Sequence, residues 1–157
     1  MWEALEHVGW VEVLGTTGWM WTTISVTHYI SMFWFIGSIA VVDLRIMGLT
    51  ARNRNIGELA RELFPWAWLG CALALLSGFL MFAAAAGEWA PSPGFHIKLT
   101  LLGLGVVFAA IVQKFSASWS QTPDTPASAK LIALISLALW IATIVSASEI
   151  PAKEGLG

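Results

Sequence analysis

The run Trp19–Val42, WMWTTISVTHYISMFWFIGSIAVV, holds one ionisable imidazole, His28, and no Asp, Glu, Lys or Arg. As a helix rising 1.5 Å per residue it is about 36 Å long, enough to cross the roughly 30 Å hydrocarbon core of a bilayer. Three further stretches are also long and apolar enough to cross: Phe64–Ala86, Phe95–Phe115, which holds Lys98 and Lys114 near its ends, and Leu131–Glu149. The first run sits too far into the chain for a secretory signal and lacks a small-residue cleavage site, so all four are expected to be kept. The expected fold is all-α: one membrane domain over residues 1–157, a bundle of four transmembrane helices.

Composition agrees. Of 157 residues, 57% are apolar before the 14 glycines are counted, and 11% are charged. Soluble domains carry about 25% charged residues, and a 150-residue soluble fold leaves roughly 30% of its unfolded surface in water. A water-soluble enzyme is excluded on this ground. A net charge of −2 without clustered basic residues gives no footprint for nucleic acid. The single cysteine, Cys71, excludes an internal disulfide and any zinc or iron–sulfur site built on several thiolates.

The joints are legible too. Asn55 with Glu58 resembles a capping box opening a short surface helix over 56–64, and Pro65 is expected to bend the chain into the second span. Pro91 and Pro93 mark a turn over 87–94, and Thr125-Pro126 opens the fourth span. Residues 1–14, with Trp2, Leu5, Val8 and Glu12 at helical spacing, suit a short N-terminal interfacial helix. Arg45, Arg52, Arg54, Arg61, Lys114 and Lys130 gather at one end of such a bundle. Lys98 and Lys153 share the other end with Glu3, Glu6, Glu12, Glu88, Glu149 and Glu154. The positive-inside rule then predicts a bacterial inner-membrane protein with both termini outside. Ten tryptophans fit headgroup belts, with Trp19, Trp21 and Trp89 outside and Trp66 and Trp119 inside.

Against so apolar a background the histidines carry the chemical interest. His28 lies about 13 Å into the first span, on a face with Trp21, Ser25, Met32 and Phe35. His96 opens the third span, with Thr100 and Gly103 following at helical spacing. Gly70, Ala74, Ser77, Gly78 and Met81 form a stripe on the second. Histidines on two helices among small and aromatic residues suit a b-type haem, with imidazoles as axial ligands, glycines admitting the ring and Lys98 pairing with propionates. The cofactor-binding candidates are His28, His96, Lys98, Gly70, Gly78, Gly103 and Met32, with His28 and His96 as metal ligands. The depths of the two histidines differ by about 13 Å, so the 87–94 turn would have to be sunken or the helix tilted. His7 lies at a depth closer to that of His96.

Other readings stay open. His28 equally suits a hydrogen bond to Ser77 or Thr143. Met20, Met32 and Met81 with His28 are ligands for copper(I), without a Met-x-x-Met cluster. The stripe Gly70/Ala74/Gly78 suits close helix contact inside one chain or between copies, and a homo-oligomer is expected because four short helices offer little room for a cofactor. Asp43 is expected to pair with a cation at the basic end.

The residues His28, Gly37, Val42-Asp43-Leu44-Arg45, Gly48-Leu49, Glu58-Leu59-Ala60-Arg61, Phe64-Pro65-Trp66, Ser77-Gly78 and Phe95 with Lys98-Leu99 resemble a family of small four-helix bacterial inner-membrane proteins of unassigned function. That family is similar to the membrane domain of copper-resistance D proteins, grouped with b-type membrane cytochromes. The resemblance runs from about Trp19 to Ile150. His28 matches the family's first-span histidine and Lys98 its third-span lysine, while His96 stands where the family has arginine. It implies haem or copper. The expected function is electron transfer through haem b between the quinone pool and an outer-side partner, as in a membrane oxidoreductase. Copper handling and a cofactor-free structural oligomer are the alternatives.

Overall fold

The computed structural model describes residues 3–121 and 124–153, and among them all regular structure is helical. Two short helices, α1 (Glu3–Glu6) and α2 (Gly9–Thr16), precede α3 (Gly18–Ile46). Then follow α4 (Ile56–Ala84), the single turn α5 (Ala86–Trp89), α6 (Pro93–Trp119) and α7 (Ala127–Lys153). Trp2 and Glu154 lie outside the described residues, as do the side chains of Glu3, Leu5, Glu149 and Lys153.

Helices α3, α4, α6 and α7 are each long and apolar enough to cross a membrane. Phe33 is 76% and Trp19 71% exposed, and such side chains all round a bundle call for hydrocarbon rather than water outside. The chain is a multi-pass membrane protein. Polar side chains on the outer faces are satisfied locally. Thr22, Thr23, Thr27 and Ser38 each donate their hydroxyl to the carbonyl four residues back, at 2.8–2.9 Å, leaving no free donor toward lipid.

The helices form a ring in which α3 packs closest on α4 and α6 on α7, with α4–α6 and α3–α7 contacts completing it. Gly70 makes the first pairing tight, because a Cβ there would fall 3.1 Å from both Phe35 N and Ser31 O. Gly105 does the same for the second pairing, seating the Trp140 indole where a Cβ would fall 2.9 Å from Cη2. Phe35 meets that indole edge-on at 4.9 Å, so one buried aromatic pair ties α3 to α7. Ile39, Val42, Ile46, Phe64, Ala109, Val112 and Ala133 continue the core toward the basic end.

The joints follow from backbone chemistry. Gly48, at φ +76°, closes α3 in a Schellman motif, with Leu49 N donating to Leu44 O at 2.9 Å and Gly48 N to Arg45 O at 3.0 Å. Asn55 caps α4, its Oδ1 accepting from Gly57 N at 2.9 Å and Glu58 N at 3.2 Å. The separate surface helix expected over 56–64 is not formed: α4 runs unbroken through Pro65. Ile56, Leu59, Ala60, Phe64, Ala67 and Cys71 continue one buried stripe, and that packing outweighs the single hydrogen bond proline removes. Pro65 itself faces outward, where the bond it lacks is lost at least cost. The N-terminal segment is likewise two helices rather than one, broken at His7-Val8. Val11 and Leu14 are buried, and Glu6 accepts a hydrogen bond from Gly87 N at 2.6 Å, tying this segment to α5.

Candidate functional site

Helix α3 buries His28, Ser31, Phe35, Ile39, Val42 and Ile46 on one stripe, so its 3.6-residue period carries the imidazole into the bundle. There the ring lies over Gly78 of α4, where a Cβ would fall 2.9 Å from His28 Cε1. His28 Nδ1 sits 2.9 Å from Ala74 O and 3.2 Å from Ser77 Oγ. A carbonyl only accepts, and Ser77 Oγ gives its own hydrogen to Leu73 O at 2.7 Å. Nδ1 therefore carries the proton. The remaining nitrogen, Nε2, keeps its lone pair, which is the tautomer a metal ligand needs, with the second nitrogen anchored on backbone. The hydrogen bond to Ser77 anticipated for a purely structural histidine is present, and it leaves the ligating nitrogen available.

His28 lines a cavity of about 620 Å³ between α3, α4 and α6, reaching to α5. Trp21, Ser25 and Tyr29 line it from α3; Ala74, Gly78, Met81 and Phe82 from α4; Trp89 from α5; Phe95, His96, Lys98 and Leu102 from α6. An aromatic wall closes the α5 end, with Phe95 stacked on Phe82 at 5.1 Å and against Trp89 at 6.2 Å. Tyr29, Phe79 and Leu99, all exposed, also line the space, so it opens sideways toward lipid. A second void of about 30 Å³ adjoins it, lined by His28, Met32, Cys71, Lys98 and Thr143 among others.

His28, His96, Lys98 and Gly78 thus share one cavity. His96 lines it beside Phe95 near α5, while Lys98, two residues on, also lines the small void with His28. His96 is exposed, and its Nε2 donates to Ala90 O at 2.9 Å, leaving Nδ1 as the free nitrogen. Lys98 is half-buried, and among the described residues no carboxylate lies within ion-pair distance of it. Met32 lines the small void rather than the main cavity.

Two expected residues fall elsewhere. Gly70 belongs to the α3–α4 crossing, too tightly packed to admit a ring. Gly103 is exposed with open space around it, on the outward side of α6 together with Thr100. The inward stripe of α6 is Lys98, Leu102, Gly105, Ala109 and Val112. The aromatic wall of Phe82 and Phe95 escaped the sequence reading; the fourth-residue spacing of Phe95 from Leu99 and its neighbour Pro93 were the available signals. Asp43 is fully buried and among the described residues meets no cation, contrary to the pairing expected with a basic residue. Its stripe turns it toward α7, while the guanidinium of Arg45 reaches outward to Arg54 O at 2.7 Å.

No protein family, curated protein or solved structure matches the chain.

Proposed function

We propose that this chain is a haem b protein of the bacterial inner membrane that passes single electrons between the quinone pool and an outer-side partner. The reading rests on one observation: a buried histidine, its Nδ1 2.9 Å from the Ala74 carbonyl, lines an apolar cavity, and in the neutral ring this leaves Nε2 with the free lone pair. The residues present fit the group. The volume, about 620 Å³, lies within the roughly 300–1,000 Å³ typical of cofactor pockets. Aromatic walls suit a flat ring, and Lys98 offers an otherwise unpaired cation to carboxylates on its edge. His28 would hold the iron through Nε2, and His96, which lines the same cavity with Nδ1 free, is the candidate for a second ligand. When bound, the haem iron supplies one-electron chemistry at a potential set by its ligands and by burial. The chain's own residues hold the imidazole in one tautomer, exclude water by aromatic packing and balance negative charge with Lys98.

The charge sorting supports an orientation with the basic end cytoplasmic and both termini outside. The cavity lies within one chain, and the Gly70/Ala74/Gly78 stripe packs against α3, so a homo-oligomer is not required to build the site; native mass in detergent reads the assembly state.

A visible absorption spectrum tests the proposal. Protein purified from haem-replete cells, or mixed with hemin, is expected to show a Soret band that His28→Ala removes. Absence of that band in the wild-type protein refutes the reading. Copper is the arm to compare, since Met81 also lines the cavity beside His28. Among the described residues no three His, Cys, Asp or Glu side chains come together, so a copper site would have to draw on the methionine thioethers. Stoichiometric copper without haem would favour that site over haem.

A further inference from the structure

At the far end of α3, Asp43 is 0% exposed, and neither carboxyl oxygen has a hydrogen-bond partner among the described residues. The Ser136 hydroxyl of α7, also 0% exposed, lies near it and is equally without a hydrogen-bond partner among the described residues. One turn further along the same face of α7, the Trp140 indole N–H is likewise buried and unpaired. Two neighbouring polar groups left unsatisfied in an apolar core, Asp43 and Ser136, call for an explanation, since each carries a desolvation cost of about 1–3 kcal/mol and an ionised carboxylate more.

The charged groups nearby do not answer it. From α3, Arg45 Nε donates to Arg54 O. Arg54 itself holds Glu62 of α4 at 2.6 and 2.8 Å. Lys114 of α6 lies over the Phe115 ring at 5.6 Å, and both it and Lys130 of α7 are exposed. A metal cation would need several oxygen ligands, and among the described residues no such group of carboxylates and histidines forms. A proton is the cation that needs no coordination shell.

We propose that Asp43 is a proton-binding site inside the bilayer, its carboxyl O–H hydrogen-bonded to Ser136 Oγ. Binding forms one O–H bond on an Asp43 oxygen and removes one negative charge from the core; release reverses both. Asp43 stands three residues, about 4.5 Å, from the end of α3, close enough to the basic end for exchange with water there. The site is remote from His28 and does not depend on the haem reading.

The test is infrared spectroscopy of the full chain in lipid nanodiscs, with aspartate carboxyl carbons labelled with ¹³C. The chain has two aspartates, Asp43 and Asp124, and Asp124 is exposed in a loop, so the label reports one buried and one exposed group. At neutral pH the expected spectrum holds a labelled band of a protonated carboxyl together with the ionised carboxylate of Asp124. Asp43→Asn is expected to abolish the first band, and Ser136→Ala to move it to higher frequency as its hydrogen bond is lost. Only ionised-carboxylate bands in the wild-type chain overturn the proposal, and so does an Asp43 band that shifts when sodium and potassium are exchanged for N-methylglucamine. The wild-type spectrum decides even if a variant fails to fold.

Discussion

Adding one methyl group at Gly78 should undo the histidine site. A Cβ there would fall 2.9 Å from His28 Cε1 and 3.3 Å from Nδ1, whereas carbon atoms in contact settle at about 3.5–4.0 Å. The imidazole must retreat by roughly 0.6–1 Å, and that movement stretches the 2.9 Å bond to Ala74 O beyond hydrogen-bonding range. The lost bond is worth about 1 kcal/mol and overpacking a further 1–3 kcal/mol. Gly78→Ala is therefore expected to lower stability by about 2–4 kcal/mol and to reduce haem occupancy along with it. The assay is thermal or denaturant unfolding in detergent, with the Soret band measured on the same samples. Gly103→Ala is the control. It meets open space and should be neutral or stabilising by up to about 1 kcal/mol. Combining Gly78→Ala with His28→Ala removes the clash, so the double variant should be less destabilised than the sum of the single ones. Strict additivity, or a Gly78→Ala protein as stable as Gly103→Ala, would refute the packing argument.

Gly105→Ala should cost about 1–3 kcal/mol, because the buried Trp140 indole, 1% exposed, has no room to give way; unfolding measurements read it directly. Asn55→Ala removes the cap of α4 and is expected to cost about 1 kcal/mol, with faster amide exchange at Glu58, while Gly57 N keeps Ser120 Oγ as its acceptor at 2.6 Å. Lys98→Met should leave the cofactor-free chain as stable or more so, since an unpaired cation leaves an apolar cavity, while weakening hemin binding; a titration of both proteins shows whether the two effects separate.

Four spans, the charge-sorted ends, the Asn55 cap and the proline turn were legible because each leaves a local mark, in length, in capping residues or in the sign of charge. The facing of α6 was not. A helix bathed in lipid is apolar on every side, so no alternation shows which face is buried, and the stripe through His96 and Gly103 read as well as the one through Lys98 and Gly105. The small residues Gly105 and Ala109 mark the buried face, but only once the indole of Trp140 shows what they accommodate. Pro65 misled for a related reason: its effect on the backbone is local, while the packing that carries α4 through it comes from α3. Asp43 was read as half of an ion pair because a carboxylate suggests a cation; its neighbour proved to be a hydroxyl on the helix farthest away in sequence.

The closest pairings, α3 with α4 and α6 with α7, are also the pairs adjacent in the chain, and the cavity lies at the seam between them. Each hairpin can form as soon as it is synthesised, from contacts near in sequence, whereas the seam exists only after the second hairpin docks on the first. The ring proposed for the seam would act as a clasp. Its binding energy would add to the docking of the two halves, and the cofactor-free chain should then show earlier protease cuts between α4 and α6 than the loaded one.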